Sequence, residues 1–512
     1  MENKKASASA VSTGKSRIIY LISPRTPDNF WSMKSSVKAL RTKNLMPSSA
    51  LATLIALTPE DINVEYRYCD ENVTKIDLDM PCDLVAITGY TLHSRRIGEI
   101  SKAFRDRNIP VALGGAFATL NREEARELAD YHFVGEAEYT WPKFLLEWQN
   151  GLAGSVYEQK EYIDIKDSPP PVWSFINGKE YLYFTVQTSR GCPNNCDFCD
   201  VLLLVGRKYR TKSVKQVMTE IKNAHAKGAE TIFFSDDNFF VNKSFTKELL
   251  TEIIKWNTSQ KTPVSFSTQA TTKIGDDEEI LKLLADARFS AIFFGVESIR
   301  KECLDEINKG HIFRYNPKEA VKRISSYGIL PFIGLIVGFD HDDKSTFDEL
   351  EQFLNETGSP LASITILNAP KNTTLYHRMK KQNRLNEDFK GVWHYSTNII
   401  PLNLTIEELI ENHQNLFKNL YKPENFESRA LDWLANIKYF SPLYKNSKMS
   451  FSKFIKLFYI IGFYLLHEPW PVKLLLFRIL VKTWKMNPNL VKKAVTIMSQ
   501  YCHYYDFANR SS

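Results

Sequence analysis

The stretch YLYFTVQTSRGCPNNCDFCDV, residues 181–201, decides how this chain is read. Its first half reads as a strand, and the loop that follows carries Cys192, Cys196 and Cys199 in the spacing C-x3-C-x2-C. Three thiols cannot pair off as disulfides. A closed structural zinc site takes four ligands, usually as two C-x2-C pairs. Three thiolates do suit a metal cluster that keeps one position open for chemistry. A zinc site or incidental core thiols are the plainer alternatives.

Working outward, the strand opens a series. Further strand candidates are Thr231–Ser235, Val264–Thr268, Ala291–Val296, Phe332–Phe339 and Ile364–Asn368, after a first at Tyr183–Gln187. Helical segments such as SVKQVMTEIKNAHAKG, SFTKELLTEIIKW and STFDELEQFLNETG lie between them. Six βα repeats predict a partial (β/α)6 barrel over 179–400, with its working face at the carboxyl ends of the strands. The cysteine loop falls on that face. Upstream, SRIIYLISPR, NVEYRYCDE, DLVAITGY and IPVALGGAFAT alternate with helical segments. They predict a doubly wound, Rossmann-like α/β domain over 16–150. Residues 151–178, with DSPPPVW, read as a stiff linker, and 401–512 as an α-helical C-terminal region.

The chain has 512 residues, 43% hydrophobic and 24% charged, with a net charge of +7. That is the composition of an ordinary globular protein of several domains, and it does not argue for nucleic acid. Residues 1–15 read as a polar, disordered leader rather than an export signal. A reducing cytoplasm is therefore expected, with cysteines that are unpaired or metal-bound. Cys69, Cys82, Cys303 and Cys502 are scattered and read as buried thiols. The run LFYIIGFYLL, Leu457 to Leu466, is shorter than the ~20 residues of a spanning helix.

The motifs SRGCPNNCDFCDV, FFSDDNF, FFGVES and LIVGFDHDD, behind an αβ domain, resemble the cobalamin-dependent radical S-adenosylmethionine (SAM) family, in the subgroup of the hopanoid C-2 methylases. The resemblance covers roughly residues 16 to 500. It implies a [4Fe–4S] cluster on Cys192, Cys196 and Cys199, with the fourth iron chelated by the amino and carboxylate groups of SAM. It places Phe198 against the adenine. Asp236 and Asp237 end the second strand, where the family binds the SAM amino group through Gly-Gly-Glu. The glycines are absent here, and Asp236 is the preferred residue of the two. Glu297 resembles the ribose ligand, with a salt bridge to a lysine or arginine as its structural alternative. Gly338 lets the backbone approach the adenosine, or simply packs.

For the N-terminal domain the resemblance implies cobalamin. Gly114, Gly115 and Thr119 would face the corrin edge, and Glu136 and Glu138 would receive its amide arms. The D-x-H-x-x-G motif of one cobalamin branch is absent, and His93 reads as a polar rim residue. A sheet that has lost its cofactor is the alternative for this domain. The implied activity is methylation of an unactivated carbon in a lipid or natural product, hopanoid-like lipids among them, with flavodoxin or ferredoxin as electron donor. A non-methylating cobalamin radical enzyme or an iron–sulfur sensor are the competing readings. The C-terminal stretch mixes aromatics and leucines with Lys453, Lys456, Lys473, Arg478, Lys482 and Lys485. It fits a helix in a membrane interface, a helix pair packed on the barrel, or a lid over an apolar substrate.

Overall fold

The computed structural model describes residues 16–389, 395–445 and 451–510. The expected leader, residues 1–15, lies outside them, as do the side chains of Lys453 and Lys456. The chain divides into two compact units. One takes the residues up to Arg25 and Ser48–Phe175, the other Thr26–Pro47 and Ile176–Ser512.

The first unit holds six strands: β1 Arg17–Ser23, β2 Val64–Asp70, β3 Leu84–Thr88, β4 Val111–Gly114, β5 Tyr131–Val134 and β6 Val156–Glu158. All neighbours run parallel, in the order β2-β1-β3-β4-β5-β6. The order turns back between β1 and β3, the position where open α/β sheets bind ligands. The core divides between the two faces, around Tyr20, Phe104 and Phe117 on one and Trp141, Phe144 and Tyr157 on the other. Part of the expected linker, 151–178, belongs to the first unit: β6 joins the sheet, and its Tyr157 is 4% exposed and stacks on Phe133.

The second unit holds β7 Phe184–Val186, the short hairpin strands β8 Ser189–Arg190 and β9 Arg210–Thr211, then β10 Thr231–Phe234, β11 Ser265–Ala270, β12 Phe289–Glu297, β13 Leu330–Val337 and β14 Leu361–Ile366. Six of these form an all-parallel sheet in the order β14-β13-β12-β11-β10-β7. The expected strands are thus present, and in sequential order. The helices between them start where capping residues allow, Ser213 and Asp343 each closing a capping box.

Residues 26–47, expected in the first domain, pack in the second unit. Phe30 is fully buried against Phe417, Tyr504 and Phe507. The expected helical C-terminal region is present, and its helices share that core.

Candidate functional site

Strand β7 ends at Val186, and the cysteine loop leaves from its carboxyl end. The β8–β9 ladder pinches the base of the loop, with Ser189 paired to Thr211 and Arg190 to Arg210. Gly191 has φ +93°, and a Cβ there would lie 2.2 Å from the Lys208 carbonyl oxygen, so the turn needs glycine. Further ties fix the loop. Cys192 N–H donates to the Gly206 carbonyl at 3.2 Å, Asp197 N–H to the Ile307 carbonyl at 3.1 Å, and Leu375 N–H to the Asp197 carbonyl at 2.9 Å.

All three cysteines are unpaired. Burial pushes the Cys192 thiol up, Cys196 to about 11 and Cys199 to about 12, with Cys192 raising Cys196 further and both raising Cys199. They stand close enough to feel each other's charge, and metal binding here must expel their protons. Three soft thiols with no imidazole fit three irons of a cluster better than one hard ion. Among the described residues no group of three His, Cys, Asp or Glu side chains is gathered to hold a single metal ion.

The two aspartates at the end of β10 separate by strand alternation. Thr231, Phe233, Ser235 and Asp237 are half-buried, while Ile232, Phe234 and Asp236 are buried. Asp236 is 0% exposed. Its Oδ1 accepts from Thr188 N–H and Oγ at 2.9 Å each, from Ser189 Oγ at 2.7 Å, and from Ser189 N–H. Burial nevertheless raises its carboxyl to about 6. Asp236 therefore holds the segment that leads into the cysteine loop. Its other oxygen, Oδ2, is buried and has no hydrogen-bond partner. Asp237 is half-buried, accepts from Gly191 N–H at 2.8 Å in the same segment, and lies within electrostatic range of Cys192.

Glu297 ends β12 in a left-handed conformation, φ +59°, where the register with β13 slips between Gly295 and Glu297. A non-glycine residue held there is a mark of a functional or over-determined position. Its carboxylate accepts from Lys309 Nζ at 2.6 Å, and the same ammonium donates to the Gly295 carbonyl at 3.1 Å. Burial pulls the Lys309 ammonium down. The Glu297 carboxylate and the neighbouring Cys196 hold it above the usual lysine range. The salt-bridge alternative for Glu297 is thus present, and it brings a buried cation beside the cysteines. Sequence reasoning missed Lys309 because nothing local marks it. The only available signal was that a buried strand-end carboxylate needs a cation.

Phe198 packs on the apolar cluster of Ile307, Phe339 and Leu375. Gly338, φ +102°, is buried, and a Cβ would lie 3.0 Å from Leu409 Cδ2. Its N–H donates to Asp342 at 2.7 Å. The left-handed φ by itself calls for glycine here.

In the first unit, the ends of β3 and β4 are lined by Gly89, Gly114 and Gly115, with Tyr90 and Leu92 exposed. Gly115 has φ +89°, and a Cβ would meet Thr88 Oγ1 at 2.4 Å. Thr119 Oγ1 donates to the Gly115 carbonyl and accepts from Gly135 N–H, each at 3.0 Å, tying two strand ends together. Glu136 is buried and accepts from Ile163 N–H at 3.1 Å, and Glu138 is buried too. His93 Nδ1 accepts from Tyr90 N–H at 3.0 Å, and burial lowers the ring to about 4. Its other nitrogen then carries the proton and offers no lone pair to a metal.

A family model described as the radical SAM superfamily matches residues 186–354, and one described as a domain of unknown function (DUF4070) matches residues 373–512. An uncharacterized methyltransferase of Synechocystis is 32% identical over 416 residues, covering 80% of this chain and 77% of that one. The hopanoid C-2 methylase of Rhodopseudomonas palustris is 29% identical over 381 residues, covering 73% and 72%. Two solved structures share the fold. They are the radical SAM methyltransferase TsrM of Kitasatospora setae (TM-score 0.60, 17% identity, 72% of this chain and 78% of that one) and the cobalamin-dependent radical enzyme OxsB (TM-score 0.59, 14% identity, 97% and 80%). The chain belongs to the radical SAM superfamily, in the group of methyltransferases that includes the Synechocystis relative.

Proposed function

We propose that the chain is a cobalamin-dependent radical SAM C-methyltransferase that modifies an unactivated carbon of an apolar lipid or natural product. The observation that carries this is the convergence of the three-cysteine loop, Asp237 and the Glu297–Lys309 pair at the carboxyl ends of one parallel sheet, in a chain related over most of its length to methyltransferases. In this reading the second unit is a partial barrel and the first a Rossmann-like cobalamin domain.

Cys192, Cys196 and Cys199 would hold three irons of the cluster, leaving the fourth for SAM. Asp237 would accept from the SAM ammonium. Lys309 is placed to meet the SAM carboxylate, releasing Glu297 towards the ribose hydroxyls. Phe198 would meet the adenine, and Gly338 would let the backbone approach the adenosine. Gly114, Gly115 and Thr119, with Tyr90 beside them, would face the corrin edge, and Glu136 and Glu138 would receive its amide arms. When bound, the cluster supplies the electron that cleaves SAM to a 5′-deoxyadenosyl radical, and cobalamin supplies the methyl group. The buried strand ends keep water from the site. A low-potential protein such as flavodoxin or ferredoxin donates the electron. The apolar substrate is met at a membrane surface.

The test is anaerobic turnover of reconstituted protein with lipid extract and methyl-deuterated SAM. The expected product gains a labelled methyl, with one 5′-deoxyadenosine and one S-adenosylhomocysteine per turnover. Changing Cys192, Cys196 and Cys199 to alanine should abolish iron binding and SAM cleavage. A product formed without S-adenosylhomocysteine would sink the methyltransferase reading in favour of a cyclisation or rearrangement.

A further inference from the structure

From Trp433 to Tyr505 the chain carries eleven lysines and arginines and one acidic residue, Glu468. That one is buried, and burial, reinforced by nearby Asp506, raises its carboxyl to about 7. The stretch includes the helices Phe451–His467 and Trp470–Met486 and most of Val491–Arg510. It holds more positive charge than the whole chain shows net.

The middle helix has two apolar stripes. Val472, Leu475, Leu476 and Ile479 are fully buried. Trp470, Leu474, Phe477, Val481 and Trp484 are between 39% and 68% exposed. At ~100° per residue these five fall within roughly 40° of one line, opposite the buried stripe. The same period puts Lys473 on one flank and Arg478 and Lys485 on the other. Leu465 and Leu466, at the end of the preceding helix, are also exposed, the second by 79%. Arg478 and Lys482 reach Glu427 at 2.8 and 2.9 Å, so that flank is partly matched within the protein.

A helix packed on one side by apolar residues ordinarily turns polar residues to water. A continuous outward apolar stripe with a basic border marks a docking surface. A second copy would bring two strongly positive stretches face to face, whereas an anionic lipid surface is complementary. The tryptophans at the two ends, roughly 21 Å apart, suit the headgroup level. We infer that helix Trp470–Met486 lies in the plane of an anionic lipid surface, with its outward stripe in the acyl boundary and Lys473, Arg478 and Lys485 at the headgroups. The inference deepens the proposed membrane contact and rests on that reading.

The test floats full-length reconstituted protein with vesicles of equal parts phosphatidylcholine and phosphatidylglycerol. Flotation is expected at low salt, falling about tenfold in pure phosphatidylcholine or at high salt. Phe477→Glu with Val481→Glu should reduce it at least about tenfold while circular dichroism and melting stay unchanged, since both side chains stand in solvent. Brominated lipid should quench tryptophan emission, and less so in Trp470→Phe with Trp484→Phe. Undiminished flotation of the glutamate variant overturns the assignment. So does a lipid-free dimer that the same variant disperses, which gives the stripe to a second copy. Protein that floats but transfers no methyl supports this inference and sinks the methyltransferase reading. Protein that methylates but stays unbound does the reverse.

Discussion

Asp236 and Asp237 are chain neighbours in different surroundings, the first fully buried and the second half-buried. Asp236→Ala leaves two backbone N–H groups and two hydroxyls without their acceptor. It should cost about 3 kcal/mol of stability and loosen cluster retention. Asp237→Ala should leave the melting temperature nearly unchanged yet weaken SAM binding about tenfold, as read by equilibrium dialysis. Equal destabilisation by both would contradict this division. Lys309→Met strands the Glu297 carboxylate in a buried place and should cost about 3 kcal/mol. The double variant with Glu297→Gln should recover most of that loss in a melting experiment while still failing to bind SAM tightly.

Elements meet in this protein through a few buried polar joints. Glu468 sits in the two-residue connection between the helices Phe451–His467 and Trp470–Met486, with Asp506 within electrostatic reach on the last helix. Burial raises the Glu468 carboxyl from its ordinary 4.5 to about 7. The folded state therefore holds its proton more tightly than the unfolded chain. The stability this confers is complete below about pH 4.5 and is lost as pH rises to about 7. Glu468→Gln cannot ionise. It should match the wild type near pH 5 and melt a few degrees higher at pH 8, a gain of about 3 kcal/mol at most. Equal melting temperatures at pH 8 would show that the carboxylate is solvated there.

For the whole molecule, the decisive feature is that residues 26–47 leave the first unit to complete the second. Phe30 is fully buried, Ser35 bonds to Asp506, and the His503 ring bonds to the Phe30 carbonyl at 2.6 Å. A fragment of residues 176–512 lacks these groups and opens a cavity among Phe417, Tyr504 and Phe507. Losing a buried phenylalanine alone costs about 3–5 kcal/mol. The fragment should be insoluble or melt without a cooperative transition, and fusing residues 26–47 to it should restore one. Cooperative melting of the bare fragment would show that the segment is dispensable.

The sequence by itself determined the six parallel repeats of the second unit, the loop that carries the cysteines, and the strand ends at which Asp237 and Glu297 stand. Each follows from a short-range period or spacing, which a strand or turn obeys wherever it lies. It also held the means to separate Asp237 from Asp236, in the alternation of Thr231, Phe233 and Ser235 with Ile232 and Phe234. Only the tertiary structure decided that Lys309 answers Glu297, that β6 lengthens the first sheet, and that Phe30 belongs with Tyr504. It also decided that Glu427 holds Arg478 and Lys482. These pairings join residues a dozen to several hundred positions apart. No local periodicity encodes them, because a buried charge or ring takes whichever partner the packed chain brings within reach.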